Sequence, residues 1–214
     1  MRLRAVLFDV GETLVDETRI WTGWAEWLGV PLLTLFAVLG GTIARGQNHR
    51  RAFEILGVDF DREWAAREAA GDLRRFEPQD LYPDVIPCLR ALKSRGYVLA
   101  AAGNHSSMHE EGLPSLGLDV VSSSQSLGSE KPSTEFFVRL AELAGVRPEE
   151  AAYVGDRIDN DVTPTLEAGM IAVFLRRGPW AHLQSDSPAA ANAHARIESL
   201  FELSEALAGV NGSR

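Results

Sequence analysis

Arg4-Ala5-Val6-Leu7-Phe8-Asp9-Val10-Gly11-Glu12-Thr13-Leu14 is the stretch that decides the fold. Residues 5–8 are a short apolar run rich in strand formers, and the run stops abruptly at Asp9. A run of this length bounded by a turn signal predicts a strand buried on both faces, as in a parallel sheet. Open α/β sheets bind ligands just beyond the carboxyl ends of their strands. The strand therefore delivers the Asp9 carboxylate to a crevice, with Gly11 permitting a tight backbone and Thr13 offering a hydroxyl. On this segment alone, an aspartate that merely opens a turn or caps a helix is an equal alternative. The rest of the chain separates the two.

Beyond Leu14 the apolar period becomes helical over 16–28, 32–39, 42–56 and 61–76. Gly29-Val30-Pro31, Gly40-Gly41 and Gly57-Val58-Asp59 punctuate these segments, and Asp61 ahead of Trp64 predicts a capped helix start. The Glu77–Pro83 linker ends the block. These roughly 65 residues have the size of a small helical bundle. The expected organisation is a helical cap domain, 16–80, inserted over the crevice of a core formed by 1–15 and 81–214. In the core, strands predicted at 97–102, 119–123, 151–154, 171–175 and 194–199 alternate with helices at 85–96, 134–144, 162–169 and 200–208. Such alternation implies a doubly wound parallel sheet with helices on both faces. Residues 185–193 read as a loose loop.

Composition narrows the function. The chain of 214 residues is 45% hydrophobic and 24% charged, an ordinary globular balance. A net charge of −9 argues against nucleic acid or an anionic membrane as a partner. The lone Cys88 cannot form an internal disulfide and reads as a small apolar helix residue. No signal-peptide pattern opens the sequence, so a cytoplasmic location is expected. Residues 24–44 hold only one charge, Glu26, and are long enough to span a membrane, but Gly29, Pro31 and the Gly40-Gly41 pair interrupt them.

Four polar clusters fall at strand ends or the loops beside them: Asp9, Gly103-Asn104, Lys131, and Asp156 with Asp161. Convergence on one sheet edge is what gives them meaning. Two carboxylates from separate strands and a backbone carbonyl near Gly11 suit an oxygen site for Mg²⁺. Lys131, one of two lysines in the chain, can balance charge on a nucleophilic carboxylate and on a phosphoryl group. Backbone N–H groups at Gly103–Asn104, opening a helix, can cradle phosphate oxygens. A carboxylate can then attack phosphorus and form an aspartyl-phosphate that water hydrolyses.

The segments F-D-V-G-E-T-L at 8–14, L-A-A-A-G-N at 99–104, G-S-E-K-P at 128–132, V-G-D-R-I-D-N-D at 154–161 and E-A-G-M at 167–170 together resemble the haloacid dehalogenase (HAD) superfamily, over essentially the whole chain and in the family's order. The resemblance implies a Rossmann-like core with a small helical cap, and a Mg²⁺-dependent phosphatase acting on a small phosphorylated molecule. It makes Asp9 the nucleophile and a metal ligand, and Gly11 the donor of a backbone carbonyl to the metal. Lys131 becomes the partner of nucleophile and phosphate, Asp156 binds the metal directly and Asp161 supports it.

Two positions depart from the family pattern. A second aspartate usually follows the nucleophile by two residues as general acid and base, and here Gly11 stands there. Loss of such a group typically costs a factor of ~10²–10⁴. Glu12 or His105 are the candidates to replace it, against plainer readings as a solvated loop glutamate and a surface turn histidine. The phosphate-binding serine or threonine of the second motif aligns with Gly103. The departures leave two rivals: a catalytically weakened phosphate- and metal-binding regulatory protein, and a haloacid dehalogenase, against which Asp156 and Asp161 argue. A Schiff-base hydrolase is excluded because 16–80 contains no lysine. Trp21, Trp24 and Trp27 read as the buried face of the cap, Arg19 as a cation able to reach an anionic substrate, and the Arg176-Arg177 pair as surface charge.

Overall fold

The computed structural model of the chain describes residues 2–113 and 116–212. It divides into two compact units, one built from residues up to Asp16 together with Phe76 onward, the other from Glu17–Arg75.

The first unit is a six-stranded sheet, β1 (Ala5–Phe8), β2 (Val98–Gly103), β3 (Val120–Ser123), β4 (Ala151–Gly155), β5 (Ile171–Leu175) and β6 (Ala195–Ile197), in the order β3-β2-β1-β4-β5-β6. Every pairing is parallel; Leu7 lies opposite Ala100 on one side and Tyr153 on the other. This is the doubly wound arrangement the alternation of strands and helices implies. All four residues of β1 are buried, which explains why the segment is a continuous apolar run rather than an alternating one. The strand order reverses at β1 and β4, and the crevice of such a sheet opens beyond their carboxyl ends.

Four helices follow β1: α1 (Thr18–Leu28), α2 (Leu32–Ala44), α3 (Arg51–Ile55) and α4 (Phe60–Ala69). The chain then supplies α5 (Val85–Ser94), α6 (Ser124–Leu127), α7 (Thr134–Leu143), α8 (Thr163–Glu167), α9 (Gly178–Gln184) and α10 (Leu203–Gly212). On one face of the sheet Phe136, Phe137 and Leu140 of α7 pack over Ala5, Leu7, Ala100, Ala102 and Tyr153. The Phe137 and Tyr153 rings meet edge to face at 4.8 Å. The alanines of β2 leave the space these rings fill.

In the helical unit Trp24, Phe53 and Phe60 form the centre, with ring separations of 4.9–5.4 Å. Trp24 is buried, whereas Trp21 and Trp27 are half-buried. The buried Arg67 guanidinium stacks 4.4 Å from the Trp24 ring and pairs with Asp72 at 2.8 Å, a desolvated cation stabilised by a π face and a carboxylate.

Several boundaries differ from the sequence reading. Gly40-Gly41 does not end a helix; α2 runs through both, because glycine is only about 1 kcal/mol poorer than alanine there and the flanking apolar residues pack. Asp59, not Asp61, caps α4, accepting the Arg62 N–H at 3.0 Å. The helical unit ends at Arg75 rather than residue 80: Asp16 N–H donates to the Asp80 carbonyl at 2.7 Å, Val15 bridges Leu81, and Tyr82 N–H donates to the Leu14 carbonyl, tying 80–82 to the core. The loop 185–193 contains a 3₁₀ turn, Pro188–Asn192, with Ala190 fully buried. Among the described residues no single helix is long and apolar enough to cross a membrane; residues 24–44 fall across α1 and α2, which bend by 114° at Gly29–Pro31. Cys88 is buried on α5, and burial pushes its thiol up to about 12, as an inert core residue requires.

Candidate active site

Asp9 emerges directly after β1, its N–H donating to the Val154 carbonyl at 2.9 Å, and Asp156 directly after β4. The adjacency of β1 and β4 thus sets two aspartates side by side. Lys131 arrives from the loop before α7, and both ends of the Asn104 amide clasp its backbone: Asn104 Nδ2 donates to the Lys131 carbonyl and Lys131 N–H donates to Asn104 Oδ1, each at 2.8 Å. The Lys131 ammonium then donates to Asp9 Oδ1 and Asp161 Oδ1, each at 2.6 Å.

Asp161 sits in a single π-helical turn, Ile158–Val162, rather than inside a regular helix. Such turns re-aim a side chain by one inserted residue and recur at functional sites. Its Oδ2 accepts the Arg157 N–H at 2.9 Å, folding the carboxylate back over β4. Gly155 makes this possible: a Cβ there would lie 2.4 Å from Asp161 Cγ. The glycine of the Gly-Asp pair is present for close approach.

Asp9, Lys131, Asp156 and Asp161 are all buried. Burial alone would lower the Lys131 ammonium, but the carboxylates of Asp161 and Asp9 hold it above the usual lysine value. Burial, together with Asp161 and Asp9, drives Asp156 well above the carboxylate range, and burial raises Asp161 to about 6 despite Lys131. One ammonium faces three carboxylates whose ligand atoms all lie within 4.8 Å of one another. Asp156 Oδ2 is also buried without a hydrogen-bond partner among the described residues. Hard oxygen donors, excess negative charge and an orphaned carboxylate oxygen fit a divalent cation of the Mg²⁺ type.

The other predicted site residues are placed as follows. Gly11 lies in the tight loop after Asp9, bridging to Val15. Gly103 ends β2, and a Cβ on it would come within 3.0 Å of Asp9 Oδ1. The Asn104 side chain is spent on the Lys131 loop, so it positions the lysine. Among the described residues the segment directly after Asn104 is a 3₁₀ stretch, Ser107–Gly112, rather than an α-helix, so no α-helix dipole backs a phosphate cradle there. Arg19 donates to the Arg75 carbonyl within the helical unit.

Glu12 is not a solvated loop residue. It is buried, adopts φ 54°, and accepts the Tyr82 hydroxyl at 2.8 Å. A Cβ on Gly178 would collide with it at 2.6 Å. The Arg177 guanidinium stacks 4.1 Å from the Tyr82 ring, donates to the Thr13 carbonyl at 2.8 Å and pairs with Asp84. Asp84 also accepts from Ser199 Oγ and Leu200 N–H. Arg177, read as surface charge, therefore braces the loop behind Asp9. Nothing in the local sequence around Arg177 or Tyr82 marks this role; a signal existed only in their distance from one another along the chain, which the fold closes.

A family model for haloacid dehalogenase-like hydrolases matches residues 3–169. The chain belongs to this family. The match spans both motif-bearing strands, β1 and β4, the Lys131 loop and the whole helical insertion. Among curated relatives, the chain is 33% identical over 204 residues to a glyceraldehyde 3-phosphate phosphatase from Methanopyrus kandleri, covering 85% of this chain and 88% of the relative. It is 35% identical over 161 residues to a phosphoserine phosphatase from Thermus thermophilus, covering 72% and 63% respectively. A crystal structure of an HAD phosphatase from Thermococcus onnurineus matches with a TM-score of 0.61 at 25% identity, covering 96% of this chain and 98% of that one. The family fold accounts for the core sheet, and the family is one of hydrolases.

Proposed function

We propose that this hydrolase is a Mg²⁺-dependent phosphatase acting on small phosphate monoesters through an aspartyl-phosphate at Asp9. The observation that carries the reading is the buried cluster of Asp9, Asp156 and Asp161 around the Lys131 ammonium. The phosphatase names of the relatives from Methanopyrus kandleri and Thermus thermophilus support it, and they make glyceraldehyde 3-phosphate and phosphoserine the first substrates to try.

Asp9, Asp156 and Asp161, with the Gly11 carbonyl, are the residues that would hold Mg²⁺. Bound there, the ion supplies neutralisation of phosphoryl and carboxylate charge. Lys131 holds and aims the Asp9 carboxylate through its 2.6 Å hydrogen bond, and offers a positive charge where negative charge builds on the phosphoryl oxygens. The Asp9 carboxylate attacks phosphorus and the ester oxygen departs; water then cleaves the acyl-phosphate. Gly103, lacking a side chain beside Asp9 Oδ1, leaves room for the phosphoryl group. Asn104 acts by fixing Lys131.

The test is phosphate release from glyceraldehyde 3-phosphate, phosphoserine and p-nitrophenyl phosphate, with Mg²⁺ and with chelator, and with Asp9→Asn as blank. Mg²⁺-dependent release that vanishes in Asp9→Asn is the expected result. No release above the blank, from protein that Mg²⁺ stabilises, refutes turnover and leaves a metal- and phosphate-binding protein.

A further inference from the structure

His105 is a buried polar group the mechanism above does not use. Its Nδ1 lies 3.1 Å from the Ser106 carbonyl oxygen. A carbonyl only accepts, so the neutral ring carries its proton on Nδ1 and presents the lone pair of Nε2. That Nε2 is buried and has no hydrogen-bond partner among the described residues. The same ring leans on Gly103: a Cβ there would stand 3.3 Å from His105 Nε2 and 3.0 Å from Asp9 Oδ1. Imidazole and nucleophile are therefore separated by the space of one missing side chain. Phe76 and His109 hold the ring edge to face, with centroids at 5.8 and 5.6 Å, and Ser124 Oγ donates to the His105 carbonyl. The orientation is fixed from three sides.

Resting on the phosphatase reading above, we propose that His105 is the proton-transfer residue of this enzyme, replacing the carboxylate that Gly11 lacks. The water oxygen bonds to phosphorus, the bond between Asp9 and phosphorus breaks with its electron pair returning to the carboxylate, and the water's proton passes to Nε2. The protonated ring gives that proton to the ester oxygen leaving the next substrate, so the cycle closes without another reactant. Glu12 is the poorer candidate because Tyr82 and Gly178 hold it.

The surroundings suit the role. Burial and the Lys131 ammonium lower the ring below the ordinary histidine value, against the Ser106 carbonyl and Glu110, which raise it. The ring is thus in its basic form near neutrality, with His109 the other titratable group packed on it.

The experiment is burst kinetics with p-nitrophenyl phosphate and Mg²⁺, comparing the wild-type enzyme with His105→Asn and His105→Gln. This leaving group needs no proton, so the p-nitrophenolate burst reports the first half-reaction alone. The expected result is a kcat lower by ~10²–10⁴-fold with the burst retained, acid-trapped phosphoenzyme accumulating, and the acid limb of the kcat–pH profile gone. A kcat within about threefold of wild type, or burst and kcat falling together with no phosphoenzyme, overturns the proposal. Should neither variant fold, the wild type still decides: dephosphorylation lacking an acid limb below the ordinary histidine range overturns it. A wild type whose steady-state p-nitrophenolate release does not exceed the Asp9→Asn blank fails the phosphatase reading itself, and the proposal falls with it.

Discussion

Asp156→Asn should stabilise this protein in chelator and abolish most of its response to Mg²⁺. Asp156 shares its burial with Asp9 and Asp161, whose oxygens lie within 4.8 Å. Two unit charges that far apart repel by about 3–4 kcal/mol at an effective dielectric of about 20. Without a cation the carboxyl escapes this by binding a proton, consistent with its strongly raised pKa. Holding a proton at pH 7 on a group with an unfolded pKa of about 3.9 costs up to about 4 kcal/mol, at about 1.4 kcal/mol per pH unit. The native state binds this proton more tightly than the unfolded chain. The stability it confers is therefore present near pH 4 and lost as pH rises toward neutrality. An asparagine is free of this cost at every pH. Urea unfolding in chelator should show Asp156→Asn more stable than wild type by about 2–4 kcal/mol at pH 7 and by nearly nothing at pH 4. Mg²⁺ at 100 times its Kd should add about 2.7 kcal/mol to the wild type and little to the variant. Equal stabilities at pH 7, or equal gains from Mg²⁺, would refute the three-carboxylate reasoning.

Three other perturbations separate the structural devices. Gly155→Ala places a methyl against Asp161 Cγ; it should cost about 1–3 kcal/mol in urea unfolding and weaken the Mg²⁺ response, because Asp161 must move. Arg177→Met leaves the buried Asp84 carboxylate without its cation; a loss of about 3–5 kcal/mol is expected, and a variant as stable as wild type would show that Ser199 and Leu200 suffice. Phe137→Ala empties the space beneath α7 and should lower stability by about 3–5 kcal/mol, while kcat of the folded fraction stays unchanged because Phe137 is not among the residues bonded to Asp9.

The sheet, its parallel sense and the four residues of the charge cluster were legible in the chain because each is a local signal. An apolar run ending in an aspartate marks a buried strand and its loaded carboxyl end, and Gly155-Asp156 repeats that pattern on the neighbouring strand. The family resemblance added the roles expected of them. Helix punctuation was less legible: Gly40-Gly41 looks like a break, yet α2 passes through it because packing outweighs a small propensity penalty. What only the tertiary structure decided is how polar groups far apart in sequence spend their hydrogen bonds. Asn104 is committed to Lys131, Glu12 to Tyr82, and Arg177 to Thr13 and Asp84, while Nε2 of His105 and Oδ2 of Asp156 have no hydrogen-bond partner among the described residues. Sequence supplies the donors and acceptors, but satisfaction is a three-dimensional balance. That balance is set by the fold, which brings partners together from distant parts of the chain.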